Sequence, residues 1–388
     1  MLLFLLSAQS IAVANEGDPM AIRGWPDGVV SLETHWGLQL VINPTPATAK
    51  QLPREADQAV RDTQQIDHVL SRLPNEAEPS WLSASEERSA DPNAITVKSA
   101  RLGRDSARAV VLQVDGVKIV FIPSDTFESQ GDFDAAAPAD VDLLILTFGE
   151  LTPPADARLL SLVTSLGPKL VVLNSINAAD PSAVERLRTS IGAADAMITI
   201  AHNTLAFSQT TRTSTQPRIV TLTDAPSKMP NEMEVLFAAM EKASSDSQRV
   251  FTQLSTKQMN FKPGNGTHTP RWNAEHMMGR QLLFFSRIYG AQDTSIPVMD
   301  LNPQQMPPDY VFAHPDWEGH EESRQMQRVV EFTRRFAYLL AGMDLDSKAP
   351  GSRWPSLRAL LNQMHRHYSE HTANTVKKFD LPGWPKES

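Results

Sequence analysis

VDLLILTF (141–148) carries one charge, Asp142, and from Leu143 onward its only polar residue is Thr147. The run is too short for a buried helix and offers no polar face, so it reads as a β-strand covered on both sides. Such a strand needs a layer of chain on each face, which predicts an α/β architecture. The flanking sequence supplies the layers. Upstream, AVVLQVDGVKIVFI (109–122) is two apolar runs joined at Asp115-Gly116, a hairpin signal. Downstream, PADARLLSLVTSLG (154–167) has helical spacing and stops at Gly167-Pro168. KLVVLNS (169–175) repeats the buried strand, and PSAVERLRTSIG (181–192) the helix. AMITI (196–200) and RIVTLT (218–223) read as short strands. Further upstream, VVSLETHWGLQLVIN (29–43) predicts a hairpin around His35-Trp36-Gly37, and the polar stretch from Ala47 to Leu73 predicts a helix. Residues 20–225 therefore read as one α/β domain of sheet covered by helices.

After Asp224 strand signals nearly vanish. Four long amphipathic patterns follow, at roughly 230–258, 271–291, 320–343 and 355–379, separated by loops such as IPVMDLNPQQMPPDY (296–310). Met277, Leu282, Phe284 and Phe285 form an apolar stripe on the second, and Met326, Val329, Val330, Phe332 and Phe336 on the third. Four such helices predict a second domain, 230–388, that is an all-α four-helix bundle. The boundary falls in APSKMPNE (225–232), where Pro226 and Pro230 interrupt.

Composition limits the chemistry. A length of 388 residues suits two domains better than one. Hydrophobic content of 41% and charged content of 21% describe a folded chain rather than a disordered one. A net charge of −9, without a Lys/Arg block, argues against nucleic acid as a partner. There is no cysteine, so disulfides, thiolate ligands and a cysteine nucleophile are excluded, and a metal would be held by His, Asp or Glu. No Gly-rich phosphate loop, Gly-x-Ser-x-Gly elbow or Rossmann fingerprint is present. Leu2 to Val13 is an apolar run followed by small residues, which predicts a signal peptide over 1–14 and export to the periplasm or outside the cell. It is too short to span a bilayer, which takes ~20 residues. The expected partner is a small-molecule substrate; oligomeric state is open, a homodimer included.

Seven of the ten histidines lie after residue 265. In MHRHYSEHTANTVKKF (364–379), His367 and His371 are spaced i, i+4 and share one helix face, while His365 points elsewhere. His276, in RWNAEHMMGRQLLFF (271–285), sits among apolar neighbours where an unpaired imidazole is costly, and is the best third candidate. Three neutral imidazoles with open positions are the catalytic form of a zinc site; nickel, iron and copper also suit imidazole. An ion so held lowers the pKa of a bound water to ~7. Glu275 and Glu370 adjoin two of the candidates, but each faces away by ~100° of helix turn. His314 and His320, in AHPDWEGHEE (313–322), read as surface groups, and His268 as a turn residue. A solvated helix face with His276 as a core histidine remains the alternative.

LSTKQMNFKPGNGTHTPRWNAEHMMGRQLLFFSRIYG, followed by LRALLNQMHRHYSEHTANTVKKFDLP, resembles the DinB/YfiT-like superfamily over roughly 230–385. Trp272 and His276 match its W…H at the start of helix two; His367 and His371 match the H-x-x-x-H of its last helix. The resemblance implies a four-helix bundle with a mononuclear metal on His276, His367 and His371, zinc first, with nickel or iron also accommodated. It also implies metal-dependent hydrolysis or group transfer, since known members include thiol-dependent transferases and isomerases. Export away from cytosolic thiols would favour hydrolysis.

LVINP (40–44), VDGVKIVFIPSDT (114–126), DLLILTFG (142–149), PKLVVLNS (168–175) and AHNTLAFS (201–208) are together similar to the metallo-β-lactamase fold. That resemblance implies an αββα sandwich, here degenerate. IDHVLSRLPNEAEPSWL (66–82) lacks the family's histidine cluster, and KLVVLNS ends in Asn174-Ser175. Asp125 alone matches a ligand position, too few for a dinuclear centre; His35, His68 and His202 are too scattered to replace it. The domain is expected to be catalytically inactive. Two further readings stay open: a non-catalytic metal-binding or scaffold protein, and a hydrolase that uses Asp125.

Overall fold

The computed structural model describes residues 19–25, 29–34, 39–42, 68–70, 81–83, 95–101, 108–114, 116–122, 140–148, 161–175, 197–200, 203–208, 218–222, 228–300, 312 and 314–386. The chain divides near residue 227 into an N-terminal sheet-rich unit, Glu16–Ser227, and a unit that takes in the helical region Lys228–Ser388.

Thirteen described strands build two sheets in the first unit. They are β1 (Met20–Trp25), β2 (Val29–Glu33), β3 (Gln39–Ile42), β4 (His68–Leu70), β5 (Trp81–Ser83), β6 (Ile95–Arg101), β7 (Arg108–Val114), β8 (Val117–Ile122), β9 (Leu143–Phe148), β10 (Leu170–Ser175), β11 (Met197–Ile200), β12 (Thr204–Phe207) and β13 (Arg218–Leu222). One sheet runs β12-β1-β2-β3-β4-β5 and the other β11-β13-β10-β9-β8-β7-β6. The apolar runs occupy the middle of the second sheet, where β8, β9, β10 and β13 pair in parallel.

Their side chains sort by the two-residue period of a strand. Ile119, Phe121, Leu143, Ile145, Leu170 and Val172 join Met20, Ile22, Val30, Leu32 and Leu40 of the other sheet in one core. Val120, Ile122, Leu144, Leu146, Val171 and Leu173 enter a second core with Leu162, Val163 and Leu166, from a helical segment at 161–166. Burial of β9 on both faces thus comes from a sheet on one side and a helix on the other. That helix closes at Gly167, whose φ of 55° lets its N–H reach Val163 O at 3.0 Å. Gly116, φ 71°, precedes β8 in the β7–β8 hairpin.

Asn174 ties the two sheets at the end of β10. Its Nδ2 donates to Val29 O at 2.9 Å, and a Cβ on Gly24 would lie 2.6 Å from its Oδ1. Asn174 is thus a buried structural amide. Asp125, His35 and His202 lie outside the described residues, as do the predicted helix at 181–192 and the apolar leader.

Four long helices dominate the second unit: α1 (Asn231–Phe251), α2 (Pro270–Gln292), α3 (Gly319–Arg335) and α4 (Leu357–Val376). α1 packs against α4 and α3, and α2 against α3 and α4, which closes a ring. α2 begins where the sequence HTPRW dictates. Thr269 caps it by accepting from Trp272 N–H at 3.1 Å, and Pro270 fills a first-turn position that has no helical acceptor. Ser356 caps α4 in the same way on Ala359 N–H. Arg334 joins α3 to α1: it pairs with Glu241 and Glu234 and stacks 4.4 Å over Phe237. No helix among the described residues is long and apolar enough to cross a membrane.

Three element readings need correction. The helix expected over 47–73 does not include His68–Leu70, which is a strand parallel to β3; three residues are too few to show a period. The first helix does not run to 258. It stops at Phe251, and a separate turn, Thr256–Met259, starts at a Ser255–Gln258 capping box that halts continuation. The third does not reach 343, because Phe336 leaves helical geometry (φ −102°, ψ 9°) to pack on Phe332, and a 3₁₀ turn, Ala337–Leu340, follows.

Gly319 allows a close approach of two main chains in the helical unit. Its N–H donates to Leu254 O at 2.8 Å, and a Cβ there would sit 1.8 Å from Phe251 O. Gly319→Ala is predicted to lower stability by at least ~2 kcal/mol, the cost of forced overpacking. Gly342→Ala, which would project into open space, should stay within ~0.5 kcal/mol. Urea denaturation followed by helical circular dichroism measures both.

Candidate metal centre

His276 stands seven residues into α2, and His367 and His371 in the second half of α4. One ring nitrogen from each lies within 4.8 Å of those of the other two, and all three residues are half-buried. Ring centroids are 4.9 Å apart for His276–His367, 5.1 Å for His276–His371 and 4.5 Å for His367–His371. Among the described residues, this is the group of three potential ligands that converges on one point. His365, one turn-step away, is exposed.

The surroundings hold the rings in place. Trp272 stacks on His276 (4.5 Å, 13° between planes) and on His268 from the other side (3.6 Å, 8°). Trp272 and His276 are spaced i, i+4 on one face of α2, and His268, from the chain just before the helix, extends the stack. Asn273 Oδ1 lies 3.0 Å from His371 Nδ1, and its Nδ2 donates to Thr375 Oγ1 at 3.0 Å. With the amide oriented by Thr375, Oδ1 accepts from an Nδ1–H. His371 is then the tautomer whose Nε2 lone pair is free to act as a ligand.

The imidazoles are held neutral. Burial, then the repulsion a proton on His276 would meet from protons on His367 and His371 and from Arg280, push His276 down to about 3. Burial, His371 and Arg280 push His367 down to about 3, and burial, His268 and Lys378 push His371 to about 4. Near neutral pH all three offer lone pairs. His276 Nδ1 and His367 Nε2 are buried and accept or donate no hydrogen bond. An unpartnered buried imidazole nitrogen is costly in an apolar surrounding; a divalent cation would satisfy it, so the donor set fits one.

Neither carboxylate beside the ligands takes part. Glu370 is exposed and lies 4.0 Å from Arg366. Burial and then the Glu322 charge push Glu275 up to about 9, with Arg271 acting the other way. The orienting partner is Asn273, which the sequence reading did not single out. Its signal was the i−3 position to His276, on the same face. His268 was also missed, since only the stack on Trp272 gives it a role. His314 is not a free surface group: it stacks on Trp317 (4.0 Å, 4°) and its Nε2 is buried. His320 is exposed, as read.

No protein-family model and no curated protein matches the chain. A solved structure from Thermotoga maritima, described as a candidate Zn-dependent hydrolase of the metallo-β-lactamase superfamily, is similar at 13% identity. The match covers 52% of this chain, its N-terminal half, and 98% of the other, with a TM-score of 0.30. Similarity at that level carries no argument about the centre.

The lowered imidazole values set a direction for stability. Unfolded histidine titrates near 6.5, above the folded values of about 3 to 4. The folded state binds fewer protons, so this contribution is present above about pH 6.5 and is lost as pH falls through the window toward 3. In chelator-treated protein, the denaturation midpoint of His367→Gln is predicted to fall less between pH 7 and pH 4.5 than that of the wild type. Equal losses would show that the triad is not held neutral by the fold.

Proposed function

We propose that the chain is a DinB-like metalloprotein whose helical unit, a four-helix bundle, holds one divalent cation on His276, His367 and His371. The observation that carries this reading is the convergence of three neutral imidazoles, two of them with buried nitrogens that have no protein partner. Zinc suits a mononuclear three-histidine set best, with nickel and iron next. When bound, the ion would supply Lewis-acid activation of a water or of a substrate atom. The chain's own residues do the rest. Asn273 fixes the His371 tautomer, Trp272 sets the plane of His276, and partial burial limits water at the ring nitrogens.

The activity proposed is metal-assisted hydrolysis or group transfer on a small molecule. The N-terminal unit then serves as a lactamase-like partner domain without a metal, and the mature protein acts outside the cytosol. A non-catalytic metal-holding role draws support from one feature: Glu275, the carboxylate nearest in sequence to His276, is pushed toward its protonated form by burial and Glu322.

Purified protein is predicted to carry about one metal per chain by elemental analysis, and His367→Ala to carry none. Asn273→Ala should keep the stoichiometry but bind ~10–100-fold more weakly, as is usual when a partner that orients a ligand is lost. Wild-type protein that takes up no divalent metal at pH 7.5 would overturn the proposal.

A further inference from the structure

α1 and α4 run parallel. Arg358, at the start of α4, donates to Glu232 Oε1 at 2.5 Å, and Ser247 Oγ lies 2.6 Å from Thr372 Oγ1. The first contact joins residues 126 apart and the second residues 125 apart, so each level of α1 matches a level of α4. An open groove of about 590 Å³ runs between them, with Ala239 and Ala243 of α1 and Thr372 and Ala373 of α4 in its lining. Among the described residues four large apolar side chains are exposed, and two of them mark the ends of this groove. Val235, 67% exposed, stands one turn before Ala239, and Val376, 41% exposed, lines the far end. By the matched levels Val376 lies opposite about residue 250 of α1, so the two valines are about 23 Å apart along the helix axis.

The ion pairs on this face are unequal at its two ends. Glu232 and Arg358 come seven residues before the groove residues Ala239 and His365, on the same helix faces. There Arg358 is shared by two carboxylates, Glu232 at 2.5 Å and Asp346 at 2.6 Å. Further along, Asp246 is shared by two cations, Lys242 at 3.0 Å and Arg249, and Lys377 also lines the groove. A partner of one sign would be repelled at one end. A second copy laid antiparallel sets acid against base at both ends. It also brings each Val235 to the level of the partner's Val376. The midpoint between the two valines falls at Ala243, where a small side chain admits close approach. Two helices ~31 Å long and together ~20 Å wide cover on the order of 600 Å² per copy, about 1,200 Å² in all, the lower end of stable specific interfaces. We infer that the α1–α4 face is a homodimer interface, built about a two-fold axis near Ala243 with the helices of the two copies antiparallel.

The test uses the full chain and does not depend on a bound metal. Sedimentation velocity over a range of concentrations should show a reversible monomer–dimer equilibrium. Ala239→Arg is predicted to weaken self-association ~tenfold or more, the scale of a central interface residue, with helical circular dichroism and urea midpoint unchanged. Val298→Arg, at the exposed valine outside α1 and α4, should leave self-association as it is. Orientation is read by crosslinking, because the chain has no cysteine of its own. Val235→Cys and Val376→Cys proteins are mixed, equilibrated and treated with a short bismaleimide. The mixture should yield crosslinked dimer, whereas either variant alone, with its two thiols about 23 Å apart, should yield little. A chain that stays monomeric at every concentration, or a dimer that a folded Ala239→Arg leaves intact, would refute the interface. Should Ala239→Arg lose helicity, the crosslinking decides alone. Crosslinking of either variant with itself in preference to the mixture would refute the antiparallel two-fold.

Discussion

Arg271 is fully buried, and its guanidinium must be satisfied on every side. It donates to Glu322 Oε1 at 2.6 Å, to Asn260 Oδ1 at 2.8 Å, and to the carbonyls of Trp317 at 2.5 Å and Pro315 at 3.3 Å. Those partners come from the turn before α2, the loop before α3 and the first turn of α3. One side chain thus fixes the first turn of α2 against three other segments. A buried pair of this kind adds little net stability over an apolar substitute, but removal of one partner costs ~3–5 kcal/mol. Its effect is to specify one arrangement. Trp272, Asn273 and His276 occupy that same turn and the next, so the position of the triad's third ring follows from where Arg271 is anchored.

The centre is then assembled by opposed demands. Partial burial favours neutral rings, and neutral rings need hydrogen bonds or a cation at their nitrogens. Asn273 answers for one nitrogen of His371, and Thr375 answers for Asn273. His276 Nδ1 and His367 Nε2 have no such partner. The stack of His268, Trp272 and His276 contributes contact area but no hydrogen bond to the rings. A fold that orients three rings this closely, and satisfies the outer nitrogen of one by a two-step relay, has used several specific side chains on an arrangement that apolar residues would fill at less cost. That asymmetry supports a metal over a packing role for the histidines.

Much of this was legible in the sequence because it was periodic. The unbroken apolar run LLILTF marked a strand covered on both faces, and the i, i+4 pair of His367 and His371 gave their shared face directly. What failed had no period to read. His68–Leu70 is three residues long, and its strand character comes from pairing with β3. β1 and β12 join across nearly the whole first unit, Met20 opposite Phe207, and no local pattern encodes so distant a partner. The break after Phe251 depended on a capping box hidden among polar residues, and the one at Phe336 on a ring preferring its neighbours to helical geometry. At the centre, the ligands were visible as residue types, whereas Asn273 became visible only once α2 met α4.

The distribution of charge along α2 explains why the triad can be neutral and still sit among ionisable groups. Arg271, Glu275 and Arg280 are all buried on this helix. Glu322 pairs with Arg271, and burial together with the Glu322 charge pushes the Glu275 carboxyl upward, toward its protonated form. Arg280, nine residues further along, adds to the cost of a proton on His276. Had Glu275 faced His276, its carboxylate would have raised the ring's proton affinity and competed with a cation for the same position in a different way, as a further ligand. A Glu275 carboxyl pushed toward its protonated form removes that option and leaves a ligand set without negative charge. A centre of that kind keeps the full charge of its ion available to whatever binds in the open positions, which is the property that Lewis-acid chemistry requires.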